Sequence, residues 1–251
     1  MTGQDPRLRR VIEALRRCWG SGALRWGGDL HHEVARVPIG LAPLDALLGG
    51  LPRGRLTELL GAPTSGMTTI ALRLIARVQA QGELVAWLDL AGVFDAEYAH
   101  WCGIDLDGLL LAQPATAPEA LELLRALIDQ QVLGVLVVDQ LGMLQAHPDH
   151  ARLLDRALSQ LLAPLAHSPT ALVVLTTAPY APEMVRAIAF RGSLLAHAAS
   201  LRLHVTRVAW ADDPLRLGCD ARVVVFKDKG EGLIGSEARV SLDFEAREVA
   251  V

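Results

Sequence analysis

Leu56-Thr57-Glu58-Leu59-Leu60-Gly61-Ala62-Pro63-Thr64-Ser65-Gly66-Met67-Thr68-Thr69 is the stretch that decides how the rest of the chain is read. Leu56 to Leu60 is an apolar, strand-forming run. Gly61 to Thr69 then follows the phosphate-binding pattern GxxxxGK with a Ser or Thr after it, at every fixed position except the lysine, where Met67 stands. A helix is expected from Thr68 to Gln79. Strand, glycine-bounded turn and helix, in that order, gather backbone N–H groups and a helix N-terminus around a phosphate. A lysine in such a loop adds a full positive charge for the β and γ phosphates, which a thioether cannot do. At about 4 Å and an effective dielectric near 20, a unit charge pair is worth roughly 4 kcal/mol before desolvation, so about two to three decades of triphosphate affinity are at stake. The bland alternative is a glycine-rich strand-to-helix turn that never meets phosphate.

Working outward, Val135-Leu136-Val137-Val138-Asp139 reads as a second strand ending in a carboxylate, placed to hold Mg²⁺ together with the Thr68 hydroxyl. Strand-like and helical runs alternate around the two. We expect strand Leu84 to Leu90, helix Asp95 to Trp101, strand Leu109 to Ala112, helix Pro118 to Gln130, strand Leu133 to Asp139, helix His150 to Ala166 and strand Ala171 to Thr177. That alternation predicts an α/β fold, a mostly parallel sheet flanked by helices. Ser200 to Val208, Ala221 to Lys227 and Ala238 to Phe244 have period-two patterning with no helix between them, and are expected as antiparallel strands extending the sheet. Ahead of all this, Pro6 to Trp19 has Leu8, Val11, Ile12 and Leu15 at helical spacing among arginines. Gly20 to His32 reads as a linker, so residues 1–34 form an N-terminal helix and linker and 35–251 the core domain.

Composition narrows the function classes. With 251 residues, 51% hydrophobic and 4% aromatic, the chain points to a Leu/Val/Ala core, not an aromatic binding platform. The positive mean hydropathy, +0.30, suggests apolar surface covered by a partner or a second copy. A net charge of −4 argues against broad attraction to nucleic acid. Cys18, Cys102 and Cys219 are too far apart for a CxxC metal or redox pair and fit a reduced, cytoplasmic setting. No apolar run reaches the length of a membrane span. His147 and His150 flank Pro148-Asp149 without an evident third ligand, and read as polar residues at a helix start.

The order of motifs resembles the RecA family of recombinases. Ile39-Gly40-Leu41-Ala42-Pro43-Leu44-Asp45 to Gly54 is similar to the family's lead-in to the phosphate loop. Ala86-Trp87-Leu88-Asp89, Asp95-Ala96-Glu97-Tyr98-Ala99 and Gly103-Ile104-Asp105-Leu106-Asp107-Gly108 are similar to the block that follows it. The resemblance covers roughly residues 7–245. It implies a degenerate nucleotide site of Gly61, Ser65, Gly66, Met67, Thr68, Thr69, Asp95, Tyr98 and Asp139, with Tyr98 stacking on adenine and Asp95 near its amino group. Thr68 and Asp139 would hold Mg²⁺ if a nucleotide binds, so weak ATP or ADP with Mg is the implied cofactor. Ala91 stands where the family has the glutamate that activates water, and Thr177 where it has a glutamine that senses the γ-phosphate. No catalytic residue is therefore assigned, and Glu58 and Glu97 are the spare carboxylates in the neighbourhood.

Lys227 and Lys229 match a pair that reaches across a subunit interface to a neighbour's ATP, while a Lys-x-Lys strand is equally consistent with a solvated edge that resists aggregation. Val11 and Leu15 would dock the N-terminal helix on a partner. Arg186, Phe190 and Arg191 would supply a weak single-stranded-DNA loop. The first DNA loop is short, and the family's separate C-terminal domain is expected to be missing. Small size and a degenerate loop resemble the ImuA group of bacterial mutagenesis cassettes. The resemblance implies RecA, an ImuB-like polymerase homologue and an error-prone polymerase as partners, work in translesion synthesis and the SOS response to DNA damage, and a nucleoid-associated location. A homo-oligomer is also open. The alternative is an active DNA-dependent ATPase or recombination mediator.

Overall fold

In the computed structural model, residues 5–20, 34–145, 148–178, 194–211 and 217–244 are described. The chain divides into two compact units, Met1–Val34 and Ala35–Val251. The first contains helix α1, Pro6–Trp19. Asp5 starts it by accepting from the Arg7 N–H at 2.8 Å, Pro6 occupies the first turn, and Gly20 at φ 88° ends it. No residue of α1 is buried.

The second unit opens with a two-residue antiparallel ribbon, β1 (Arg36–Val37) and β2 (Leu51–Pro52), closed by helix α2, Ala42–Leu48. Asp45 fixes the turn into α2 by accepting from the N–H groups of Ile39 and Gly40. Alternation then proceeds through β3 (Leu56–Gly61), α3 (Met67–Gln79), β4 (Leu84–Asp89), α4 (Ala96–Trp101), β5 (Leu109–Ala112), α5 (Ala117–Asp129), β6 (Leu133–Asp139), α6 (Pro148–Ala166) and β7 (Ala171–Thr177). A short helix α7, Leu194–Ala198, precedes β8 (Leu201–Trp210), β9 (Gly218–Asp228) and β10 (Glu237–Asp243).

The eight-stranded sheet runs β10-β9-β8-β3-β7-β6-β4-β5. All neighbours from β8 to β5 are parallel, whereas β8–β9 and β9–β10 are antiparallel. The α/β fold expected from the sequence is thus observed, with one refinement: β8 joins the sheet parallel to β3, and only the ribbon beyond it is antiparallel. Strands β3, β6 and most of β4 and β7 are buried on both faces, which is why they read as continuous apolar runs. One core layer packs α3 against the sheet through Ile70, Leu74 and Val78. The other packs α5 and α6 through Leu124, Ile128, Leu154, Leu158 and Leu165. The phosphate-type loop lies at the C-terminal end of β3, in the middle of this sheet, where open α/β folds place their sites.

Candidate functional site

Gly61 to Met67 turns from β3 into α3 with the geometry its residue types require. A Cβ at Gly61 would collide with the Ser65 hydroxyl, and one at Gly66, where φ is +97°, would collide with Leu242 Cδ1. Thr64 takes a left-handed φ of 61°, and Arg207 of β8 holds it there, Nη1 bonding the Thr64 carbonyl at 3.0 Å and its Oγ1 at 2.5 Å. The same guanidinium lies 4.1 Å over the Trp210 ring. No side chain caps the N-terminus of α3, so its first N–H groups remain available as donors. Ser65 Oγ is buried without a hydrogen-bond partner among the described residues.

Met67 is the first residue of α3 and is only 7% exposed, packed into the core layer on the α3 side of the sheet. The position that carries a solvated cation in a lysine-bearing loop is here part of the apolar interior. Beside it opens a cavity of about 910 Å³ lined by the loop from Pro63 through Thr69 and by Tyr98, Gln140 and Thr177. Four aromatic side chains line it, namely Tyr98, Trp101, Trp210 and Phe244, together with Leu217 and Cys219. Tyr98 and Trp210 both meet Phe244 edge to face, at 6.0 and 6.3 Å. Low aromatic content suggests no aromatic platform, yet four of the eleven aromatics gather here, from β8, α4 and the residue that follows β10. Composition counts residues without placing them.

Tyr98 also donates to or accepts from Thr69 Oγ1 at 2.6 Å, and burial pushes its phenol well above the usual range despite that bond. Asp95 is at the N-cap of α4, accepting from the Tyr98 N–H at 2.9 Å, and so helps orient the tyrosine. It does not belong to the cavity lining, and neither does Asp139, which ends β6. The loop residues Ser65, Gly66, Met67, Thr68 and Thr69 and Tyr98 are therefore brought together at one cavity, while Gly61, Asp95 and Asp139 are not part of its lining.

Among the described residues three carboxylates are buried in the sheet, Asp89 and Asp139 at the C-terminal ends of β4 and β6 and Glu58 within β3. Asp89 and Asp139 are paired Cα partners on β4 and β6. Burial pushes Asp139 up to about 6, the Asp89 charge adds to the rise, and one N–H, from Gln140, opposes it. Asp89 is also buried, but bonds from the Gln113 amide and from backbone N–H groups outweigh burial and hold it below its ordinary value. Glu58 on β3 is bound to Arg202 Nε at 2.5 Å and to Thr176 Oγ1 at 2.9 Å. This removes it as a spare base. Ala91 follows Asp89 in the turn that the Asp89 carboxylate organises. Among the described residues no group of three or more His, Cys, Asp or Glu side chains could hold a metal alone. Magnesium here would need ligand oxygens from a phosphate besides Thr68 and Asp139.

Lys227 Nζ donates to the carbonyls of Ala196 at 2.6 Å and His197 at 2.9 Å, and Lys229 Nζ to that of His197 at 2.8 Å. Both ammonium groups therefore cap the C-terminus of α7 within this chain. Burial first, then the neighbouring Lys229 charge, lowers Lys227 to about 8. Val11 of α1 is exposed and Leu15 partly so. Arg186, Phe190 and Arg191 lie outside the described residues, as does His147. Gln113, Gln140, Arg207, Trp210 and Phe244 went unnoticed in the sequence because each acts through a contact with a distant segment. The one usable signal was the scarcity of aromatics.

The RecA N-terminal domain family matches residues 7–232. Protein RecA of Frankia casuarinae is 32% identical over 249 residues, covering 90% of this chain and 71% of that protein. Protein RecA of Acidothermus cellulolyticus is 32% identical over 253 residues, and that of Mycobacterium avium 30% identical over 249, with coverage of 90% of this chain in both cases. Motif order, sheet topology and these matches agree, and the chain belongs to the RecA family.

Proposed function

We propose that this chain is a RecA-like pseudo-ATPase that works as an adaptor, through protein interfaces, in the bacterial response to DNA damage. The observation that carries this reading is Met67: the loop keeps its fold and its helix N-terminus but buries a thioether where the cation belongs. Ala91 at the position of the water-activating glutamate and Thr177 at that of the γ-phosphate sensor point the same way. Loss of a positioned base alone typically costs 10² to 10⁴ in rate. The alternative, an active DNA-dependent ATPase, would need another base, and Glu58 is occupied by Arg202 and Thr176.

Within the family, the chain is assigned to the ImuA type, acting with an ImuB-like polymerase homologue, an error-prone polymerase and RecA in translesion synthesis, in the cytoplasm at the nucleoid. Among the described residues no helix is long and apolar enough to cross a membrane. Lys227 and Lys229 would exchange the α7 carbonyls for phosphate oxygens of a neighbouring subunit's nucleotide, and α1 would dock through Val11 and Leu15. Steady-state ATP hydrolysis with and without single-stranded DNA tests the central reading. The expected result is no turnover above background, and robust turnover abolished by Asp139→Ala would overturn it. Charge reversal at Lys227 and Lys229 should change the ATPase rate of RecA in a mixed assembly, and an unchanged rate removes the interface mechanism.

A further inference from the structure

We infer that the cavity beside Met67 selects a ligand by its aromatic ring and not by its phosphates: it takes a purine nucleoside or its monophosphate, and gains nothing from a second or third phosphate. This rests on the reading of the loop as a degenerate nucleotide site, and concerns what that site still binds.

The argument is a balance of surface and charge around one cavity. Its walls carry Tyr98, Trp101, Trp210 and Phe244, with Leu217 and Met67 between them. Tyr98 and Trp210 each meet Phe244 edge to face, and all three line a space of about 910 Å³, room for a nucleoside. Trp101, Trp210 and Leu217, which line the cavity, are 45%, 54% and 60% exposed, a large amount of apolar surface. A planar heteroaromatic ring would bury it, and base-on-aromatic stacking contributes about 1 to 3 kcal/mol per contact.

The charge side is poor. The uncapped α3 N-terminus supplies about half a positive charge, enough to favour one phosphate. Among the described residues the cation at the loop is Arg207, and it is committed to the Thr64 carbonyl, Thr64 Oγ1 and the face of Trp210. It stiffens the loop from outside the cavity lining. Beyond the loop stand Asp89 and Asp139, two carboxylates on adjacent strand ends, with no lysine or arginine among the described residues bonded to either. Each further phosphate brings negative charge toward a site whose matching cation has been replaced by a methionine.

The test is a ladder of adenosine, AMP, ADP and ATP titrated calorimetrically into the full chain, with and without Mg²⁺. AMP, ADP and ATP should bind within about fivefold of one another, a span of about 1 kcal/mol. ATP binding more than about fivefold tighter than AMP overturns the inference, as does failure of every member to bind. In Met67→Lys the same ladder should become steep, with ATP tightened relative to AMP by about tenfold or more while adenosine changes little; an equally flat ladder in that variant would overturn the assignment of selectivity to position 67. Phe244→Leu should weaken all four ligands alike, and a loss confined to ATP would contradict ring-based selection. Read beside the separate hydrolysis assay, a steep ladder without turnover would sink this inference and leave the adaptor reading standing, and turnover on a flat ladder would do the reverse.

Discussion

Asp89 and Asp139 sit side by side on β4 and β6, the same residue type at matching strand ends, and their surroundings push them in opposite directions. Asp89 accepts from Ala91, Gly92 and Phe94 N–H groups and from the Gln113 amide, so its charge is fully used in shaping the turn after β4. Asp139 has one backbone donor and its neighbour's negative charge, so its ionised form is poorly supported. A third carboxylate, Glu58, is neutralised by a buried arginine. A saturated carboxylate is architecture, whereas an under-satisfied one takes up a proton more readily.

The contrast can be broken most forcefully at Glu58. Glu58→Gln leaves the Arg202 guanidinium, 6% exposed, without its counter-charge, and should cost about 3 to 5 kcal/mol in urea denaturation. A change below about 1 kcal/mol would mean the pair is dispensable to the fold. Asp89→Ala comes next, since it strands three backbone N–H groups and one amide in a partly buried turn. The expected loss is about 2 to 3 kcal/mol, measured in the same way.

Asp139→Asn should act with the opposite sign. Its native carboxyl titrates at about 6, above the ordinary 3.8, so the fold holds a proton that the unfolded chain releases between those values. The stabilisation this gives is complete below about pH 4 and is lost as pH rises through about 6. Replacing Asp139 with asparagine should remove that slope and leave the protein about 2 kcal/mol more stable at pH 8, with little change at pH 4. Thermal melts across this range read the difference. A variant less stable at pH 8 would show that the Asp139 charge is already satisfied.

Much of the frame could be read from residue order. Apolar runs with short breaks gave β3 through β7 nearly to the residue, because a strand buried on both faces must be continuously apolar. The short elements α2 and α7 and the ribbon of β1 and β2 escaped, since two to seven residues without periodicity carry no helical or strand signature. Of the site, the loop is visible as a local pattern, and Tyr98 only through the family resemblance. Trp210 and Phe244 were not, because nothing within a few residues of either marks it as a cavity wall.

By itself, the sequence determined the strand-turn-helix at Gly61 to Thr69, the methionine at the lysine position of that pattern and the mostly parallel sheet. These follow from residue type and spacing over a single element, where backbone conformation and side-chain charge are local properties. Only the tertiary structure decided which carboxylate is saturated, that Lys227 and Lys229 cap α7, and that four aromatics from three distant segments enclose one cavity. Hydrogen-bond satisfaction, desolvation and ring packing depend on neighbours more than a hundred positions away, as between Glu58 and Arg202, and sequence order alone does not record such contacts.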